Sequence, residues 1–474
     1  MRVLLWTALC VRAVAPAQLP LFFHEYTSVL PPALLDRSVA YASTLRGPWQ
    51  AFIRKLEGGE PLTVGALGGS VTVGHKCAPG CSGAPSYTNT FSRLVFDALA
   101  ALSPLVNHSY INGGVPATAA PFFAACLQYR VPPDADLVLL EFATNGIDDA
   151  DTLAGVEGVV RRLLHRPHPP ALLLVDWNRH CPGIARALNR TVAEHFTTGW
   201  FGVSGGVSTT YVSEAYDVPR VSLKNALLEE DWHQTLPEFT FERFAGDWSH
   251  PNAWGHKLVA AAVLHFVSAA SVRVHGARHL RGDAQQSEPR TFLPPLVPGN
   301  DPERGASSCW FGTDLAPLGT GWDFDTHDPE KLAFSTTGAG PSLKLRIPRR
   351  KGSSQLTITY LKGHELGSAA LSCAPQCGCG AGRELHAHVD GPGHVFHAEG
   401  VAFDAPARGD DMCDVEVAPK GAFKVAALIV SSGANPGVYG SDSACACGVG
   451  LAGHVVAMRW PRAMTPSDVL LALS

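Results

Sequence analysis

The chain predicts an α/β domain built on a parallel sheet, followed by an all-β sandwich or jelly roll. Three observations lead there. From about residue 40 to 270, short continuously apolar runs alternate with amphipathic stretches, the pattern of a parallel sheet covered on both faces. A polar stretch rich in Pro and Gly then interrupts the chain at 275–305. Beyond it, short alternating runs separated by glycines dominate. With 474 residues, the chain is also too long for one ordinary core.

The N-terminus, MRVLLWTALCVRAVAPAQ, has the parts of a secretory leader. Arg2 supplies the charge, Val3 to Val11 the apolar stretch, and Ala15-Pro16-Ala17 a small-residue cleavage site, with Arg12 interrupting before the cut. Residues 1–17 are assigned to it, so the expected localisation is secreted or cell-surface. The stretch is far shorter than the roughly 20 residues of a membrane span. Leu258 to Val274 is also apolar, but it contains His265 and follows a helix-start signal, so it predicts a core helix. No transmembrane span is expected.

The α/β domain is assigned to residues 40–274. Leu45, Trp49, Phe52, Ile53 and Leu56 recur at helical spacing, and Gly58-Gly59 closes that helix. Leu62 to Leu67 is a short apolar strand. Phe91, Leu94, Val95, Ala98 and Leu102 form a second helical stripe. Ser109 to Ile111, Asp136 to Phe142 (DLVLLEF) and Ala171 to Asp176 (ALLLVD) supply further strands. Thr152 to Leu164 and Ile184 to His195 supply helices. The linker is 275–305, and its Arg281-Gly282-Asp283 is incidental. A cysteine-rich β domain follows at 306–462, with strands at SLKLRI (342–347), QLTITYL (355–361), ELHAHV (384–389), CDVEV (413–417) and FKVAALIV (423–430).

Composition excludes several classes of partner. Charged residues are only 17 % and the net charge is −5, so nothing suggests electrostatic capture of nucleic acid. The basic run Arg349-Arg350-Lys351 reads as a solvated turn. Of twelve cysteines, removal of the leader takes Cys10 and leaves eleven. Cys77 and Cys81 flank one loop and would stiffen it if bridged. Cys373, Cys377, Cys379, Cys445 and Cys447 have spacing that zinc could use, but an exported chain favours a disulfide framework. Two acceptor sequons, at Asn107 and Asn189, agree with export. No metal and no cofactor is expected.

In parallel sheets, ligands bind outside the carboxyl ends of the strands. Four short stretches meet that condition or complete a site. Ser70 follows the LTVGAL strand, Asn112-Gly113-Gly114 follows Ser109–Ile111, and Asn145 follows DLVLLEF; GDWSHPNAWGHKL then adds Asp247 and His250 before a helix. The chemistry these types support is that of a serine hydrolase. Ser70 needs a base to take its proton, His250 is that base, and Asp247 orients the imidazole. The Ser70 and Gly114 N–H groups and the Asn145 side-chain amide would receive the oxyanion.

The blocks GGSVTVG, NGGVPAT, FATNG and DWSHPNAWGH, in this order, resemble those of the SGNH, or GDSL-type, hydrolase family. The resemblance covers about residues 60–270. It implies a flavodoxin-like three-layer α/β/α fold, with Ser70 as nucleophile, Asp247 and His250 completing the triad, and Gly114 and Asn145 as oxyanion donors. It also implies hydrolysis of esters, often acetyl esters on carbohydrates or acyl esters of lipids. Gly69 stands where GDS has aspartate, and Ala143 and Gly146 depart from the usual GxND.

Other residues keep two readings. Gly202-Val203-Ser204-Gly205-Gly206 fits the GxSxG elbow, but that elbow needs a strand before and a helix after, and TTGWF before and VSTTYVSE after provide neither clearly. His75 either contacts substrate or is an exposed loop histidine. Trp248 and Trp254 either line a sugar site or pack the last helix. Asp148, Asp149 and Asp151 cap the helix that follows them. The expected activity is removal of acyl, foremost O-acetyl, groups from a small-molecule or glycan ester. Lipid or thioester hydrolysis, O-acyl transfer, and an inactive cell-surface binding protein are the alternatives.

Overall fold

Five strands of the first half, three of them apolar runs, lie side by side in parallel, in an order that places Ser70 where the sheet reverses direction of growth. The structure, a computed structural model, describes residues 18–43, 45, 47–77, 87–116, 118–145, 150–177, 206–233, 235–246, 250–281, 294–297, 300, 308–327, 332–349, 351–379, 382–388, 395–404, 407 and 411–431. The expected leader, the helix expected at 184–195, Cys81, Asp148, Asp149, Asn189, Ser204, Asp247, Trp248, Cys445 and Cys447 lie outside the described residues.

The first sheet contains β1 (Val39–Tyr41), β2 (Thr63–Gly68), β3 (Ser109–Asn112), β4 (Leu137–Glu141), β5 (Ala171–Asp176) and β6 (Arg220–Ser222), in the order β1-β6-β5-β4-β2-β3. β2 to β6 are parallel, and β1 runs antiparallel along β6. The parallel strands therefore follow the flavodoxin-like order, with the switch point at β2 between β3 and β4.

Period-two alternation divides each strand between two faces. Val64, Ala66, Leu137, Leu139 and Leu173 pack with helices Pro48–Glu57, Phe91–Ala100 and Ala253–Arg281. Leu67, Val138, Leu140, Leu172 and Leu174 pack with helices Ala120–Cys126, Ala150–Leu164 and Gly206–Tyr216. These are the three layers. Residues 253–276 are long and apolar enough to cross a membrane, but 72 % of the apolar window is buried in the protein, as a core helix should be. That helix runs on to Arg281, into the segment read as linker.

Helix Gly206–Tyr216 corrects the expectation at VSTTYVSE. Its Thr209 and Thr210 hydroxyls donate back to the Gly206 carbonyl (3.0 and 2.7 Å), so residues with weak helix preference are satisfied by the helical backbone itself. A helix thus follows Ser204, although Ser204 itself is not described.

The second half forms two antiparallel sheets. Its strands are β7 (Ser308–Phe311), β8 (Gly319–Thr320), β9 (Asp323–Asp325), β10 (Ala333–Thr336), β11 (Leu343–Arg349), β12 (Gln355–Lys362), β13 (Ser368–Cys373), β14 (Arg383–His386), β15 (Val395–Ala402), β16 (Asp411–Pro419) and β17 (Phe423–Ser431). One sheet runs β15-β12-β17-β10-β9 with β7 also paired to β17; the other runs β14-β13-β16-β11-β8. β11 alternates buried and outward residues, whereas β12 and β17 are buried almost throughout. The difference has a cause. The outer sheet faces water, while the inner one is also covered by helix Ala120–Cys126.

That contact joins the halves. Phe122 meets Phe311 edge-on at 5.5 Å between ring centroids, the Arg130 guanidinium lies over Phe311 at 4.6 Å, and Cys126 is disulfide-bonded to Cys309. Nearby, buried Glu157 accepts from the N–H groups of Leu296 and Val297, from Asn300 and from the Tyr216 hydroxyl. The described end of the Pro-rich segment is thereby fastened to helix Ala150–Leu164.

Cys373–Cys379 and Cys377–Cys413 are disulfides, which uses three of the cysteines whose spacing zinc could use. Arg349 needs a correction. It is buried at 4 % exposure, not solvated, because its guanidinium donates to the Cys377 and Ser353 carbonyls and lies over the Phe403 ring. Lys351 keeps the exposed position expected of the basic run, and Arg350 lies outside the described residues.

Candidate active site

The apolar β2 strand ends at Gly68, and a single helical turn, Ser70–Val73, begins immediately. Ser70 is thus the first residue of that turn, with 7 % of its surface exposed. Its N–H is one of the orphan donors every helix start leaves unpaired within the helix. Gly74 closes the turn in the left-handed region (φ 88°), and the N–H groups of Gly74 and His75 donate to the Ser70 carbonyl at 3.0 and 2.9 Å. Two backbone bonds to its carbonyl hold the serine at the start of the turn.

His250 reaches Ser70 from 180 residues away. Its Nε2 lies 2.8 Å from Ser70 Oγ. The loop that carries it is closed by pairing of Ala245 with Pro251 and by the Gly246 N–H, which donates to the His250 carbonyl at 2.7 Å. Asn252 then caps helix Ala253–Arg281, accepting the Gly255 N–H at 3.0 Å. Its Nδ2 donates to the Arg243 carbonyl at 2.8 Å, so one side chain ties the histidine loop to both flanks. A Cβ on Gly246 would stand 2.6 Å from the Lys76 carbonyl oxygen. The absence of a side chain there lets the His250 loop approach the Ser70 loop.

Asn145 follows β4 after a turn pinned by Glu141. That carboxylate is buried and accepts the Thr144 N–H (3.3 Å) and hydroxyl (2.7 Å). Asn145 Nδ2 donates to the Thr118 carbonyl at 2.9 Å. This bond fixes which end of the amide is nitrogen, and the nitrogen carries a second hydrogen. A Cβ on Gly69 would overlap Asn145 Nδ2 outright, so the amide occupies space that only glycine leaves. Gly114 comes beside the Ser70–Val73 turn, against the side chains of Thr72 and Val73, with its N–H donated to Asn112 Oδ1 at 3.0 Å. Asn112 Nδ2 in turn donates to the Thr72 carbonyl at 2.7 Å.

The site therefore brings together Ser70, His250, Gly114 and Asn145 around the end of β2. Glu141 and Thr118 were not singled out from the sequence, and Asn112 stood there only as the start of the glycine block. Glu141 did leave a signal, as the lone carboxylate inside an apolar run. Trp254 packs partly buried against the core cluster of the last helix. Cys77 is disulfide-bonded. His75, which is exposed, meets the His250 ring edge-on at 4.9 Å between centroids and 68° between planes.

His256, fully buried, lies beneath this surface. Its Nδ1 accepts the Phe91 N–H at 3.0 Å, and its ring stacks over Phe91. Burial, aided by nearby His250, pushes its pKa down to about 3, so it stays neutral and its Nε2 carries the proton.

No family model matches the chain, and no curated protein matches it. Solved structures do. A two-domain esterase active on acetylated mannans aligns over 84 % of this chain and 98 % of its own, with 20 % identity and a TM-score of 0.60. The form of it co-crystallised with mannopentaose aligns with 19 % identity and a TM-score of 0.59. A catalytic mutant of an acetylxylan esterase from Geobacillus stearothermophilus covers 44 % of this chain with 16 % identity and a TM-score of 0.32. The chain shares the two-part fold of the first of these: a flavodoxin-like parallel α/β sheet followed by a β domain.

Proposed function

We propose that the protein is a secreted serine esterase that removes acetyl groups from carbohydrate, with Ser70, His250 and Asp247 as its triad. The observation that carries this reading is the 2.8 Å contact between His250 Nε2 and Ser70 Oγ at the switch point of the sheet. A serine hydroxyl is a weak nucleophile until a base within hydrogen-bond reach takes its proton. His250 takes it as Oγ attacks the ester carbonyl, and Asp247 stabilises the imidazolium through Nδ1.

The carbonyl oxygen becomes an oxyanion facing the Ser70 N–H, the Gly114 N–H and Asn145 Nδ2. At Gly114 the oxyanion competes with a neutral amide oxygen, and an ionised acceptor makes the stronger hydrogen bond. Collapse of the tetrahedral intermediate breaks the bond to the alcohol oxygen, which leaves with the proton from His250. Water, deprotonated by the same imidazole, then releases acetate and restores Ser70. The carbohydrate assignment is supported by the fold shared with an esterase active on acetylated mannans. Export is supported by the leader-type N-terminus and by disulfides that persist in oxidising compartments.

The test is deacylation of short-chain p-nitrophenyl esters and of acetylated mannan by the wild type, Ser70→Ala and Ser204→Ala. Loss of the nucleophile lowers kcat by about 10⁴-fold or more, and Ser204→Ala keeps the wild-type rate. Full activity in Ser70→Ala refutes the triad, and rates that rise with acyl length refute the acetyl assignment.

A further inference from the structure

The hydrolytic cycle uses one imidazole, yet two stand together at the mouth of the site. His75 is not a loose surface side chain. Its N–H donates to the carbonyl of Ser70 at 2.9 Å, it follows the left-handed Gly74, and its ring rests edge-on against His250 at 4.9 Å. The next residues fasten the segment further, with the Lys76 carbonyl against Gly246 and with disulfide-bonded Cys77. The ring nevertheless stays exposed. It is a fixed group on the rim, in contact with the base.

That position has a chemical meaning. The imidazole that accepts the serine proton later returns it to the departing oxygen, so the alcohol half of an ester lies on the side of His250. The acyl half lies towards the oxyanion donors at Gly114 and Asn145. A neutral imidazole carries one donor and one acceptor, the same pair that neighbouring hydroxyls of a sugar present. A nitrophenolate or a simple alkyl alcohol presents no such neighbouring hydroxyl.

We propose that His75 reads the alcohol half of the ester, hydrogen-bonding a sugar hydroxyl next to the acetylated oxygen and thereby favouring carbohydrate leaving groups. The proposal rests on the esterase reading above. Sites that hydrogen-bond a substrate hydroxyl discriminate strongly against analogues lacking it.

The experiment measures kcat/KM for acetylated manno-oligosaccharide and for p-nitrophenyl acetate in the wild type, Ser70→Ala, His75→Ala and His75→Gln. In His75→Ala the value for the acetylated sugar falls about 10–100-fold while that for p-nitrophenyl acetate changes less than about 3-fold, the range of one or two lost hydrogen bonds. His75→Gln, which keeps a donor and an acceptor, recovers part of the loss. The retained p-nitrophenyl acetate activity shows that the variants fold. Equal losses on both substrates would mean that His75 only supports His250, and no loss on the sugar would mean that it touches nothing; either result overturns the proposal. Activity surviving in Ser70→Ala would instead sink the esterase reading, a separate outcome.

Discussion

A Cβ on Gly69 and the amide nitrogen of Asn145 cannot share one space. In this chain the Asn145 amide lies over the residue before Ser70, and glycine is what admits it. Gly69→Ala should therefore displace Asn145. Its kcat on acetyl esters is expected to fall by about 10²–10³, as for loss of an oxyanion donor. Asn145→Ala should fall equally, and the double variant should be no slower, because both changes remove the same group. Additive losses would show that Gly69 acts elsewhere. His256 supports a prediction about pH. Its folded pKa of about 3 lies below the ordinary value of 6.5. Between those values the unfolded chain binds a proton that the folded protein refuses. Its contribution to stability is therefore complete above 6.5 and is lost as pH falls through that window. Thermal midpoints measured from pH 7 down to 5 should drop more steeply in the wild type than in His256→Gln. Parallel slopes would contradict the assignment.

Among the described elements, the cap at Asn252 is the most exacting, because it starts the longest of the described helices and holds the His250 loop at once. Asn252→Ala should lower stability by about 1–2 kcal/mol, the range for a lost N-cap, and depress kcat as the loop loosens. Asn252→Asp keeps the acceptor for the Gly255 N–H but not the donor to Arg243, so it should restore stability more than activity. Urea midpoints and kcat for the pair check this. The same distinction explains what the sequence made legible. DLVLLEF and ALLLVD announce themselves because strands buried on both faces must be apolar throughout. Ser70 and Asn145 are legible through their positions after strands, and His250 through its place in the block order before a helix. β8 has only two residues, Gly319 and Thr320, and exists because β11 pairs with it; no local pattern encodes it. Helix Gly206–Tyr216 is hidden by threonines and valines that suit strands better. The bond from Gly114 to Asn112 was illegible as well, since which way an amide turns depends on what packs above it.

At the scale of the whole molecule, the Cys126–Cys309 disulfide spans 183 residues and ties the helical layer to the inner β sheet. Replacing both cysteines by serine should cost about 2–4 kcal/mol in urea unfolding, the usual worth of a disulfide, while leaving kcat on p-nitrophenyl acetate unchanged. A change in kcat would mean that the tie also shapes the site. The covered inner sheet carries a larger consequence. Phe122, Phe123 and their neighbours bury themselves against β4 on one side and against Phe311 and β17 on the other, in one uninterrupted core. A two-part protein whose appended module hangs from a tether can have that module exchanged. Among the described residues no such seam separates the two parts: cutting the sandwich away would strip the helical layer of the α/β part of its outer wall, so the two would have to be engineered together.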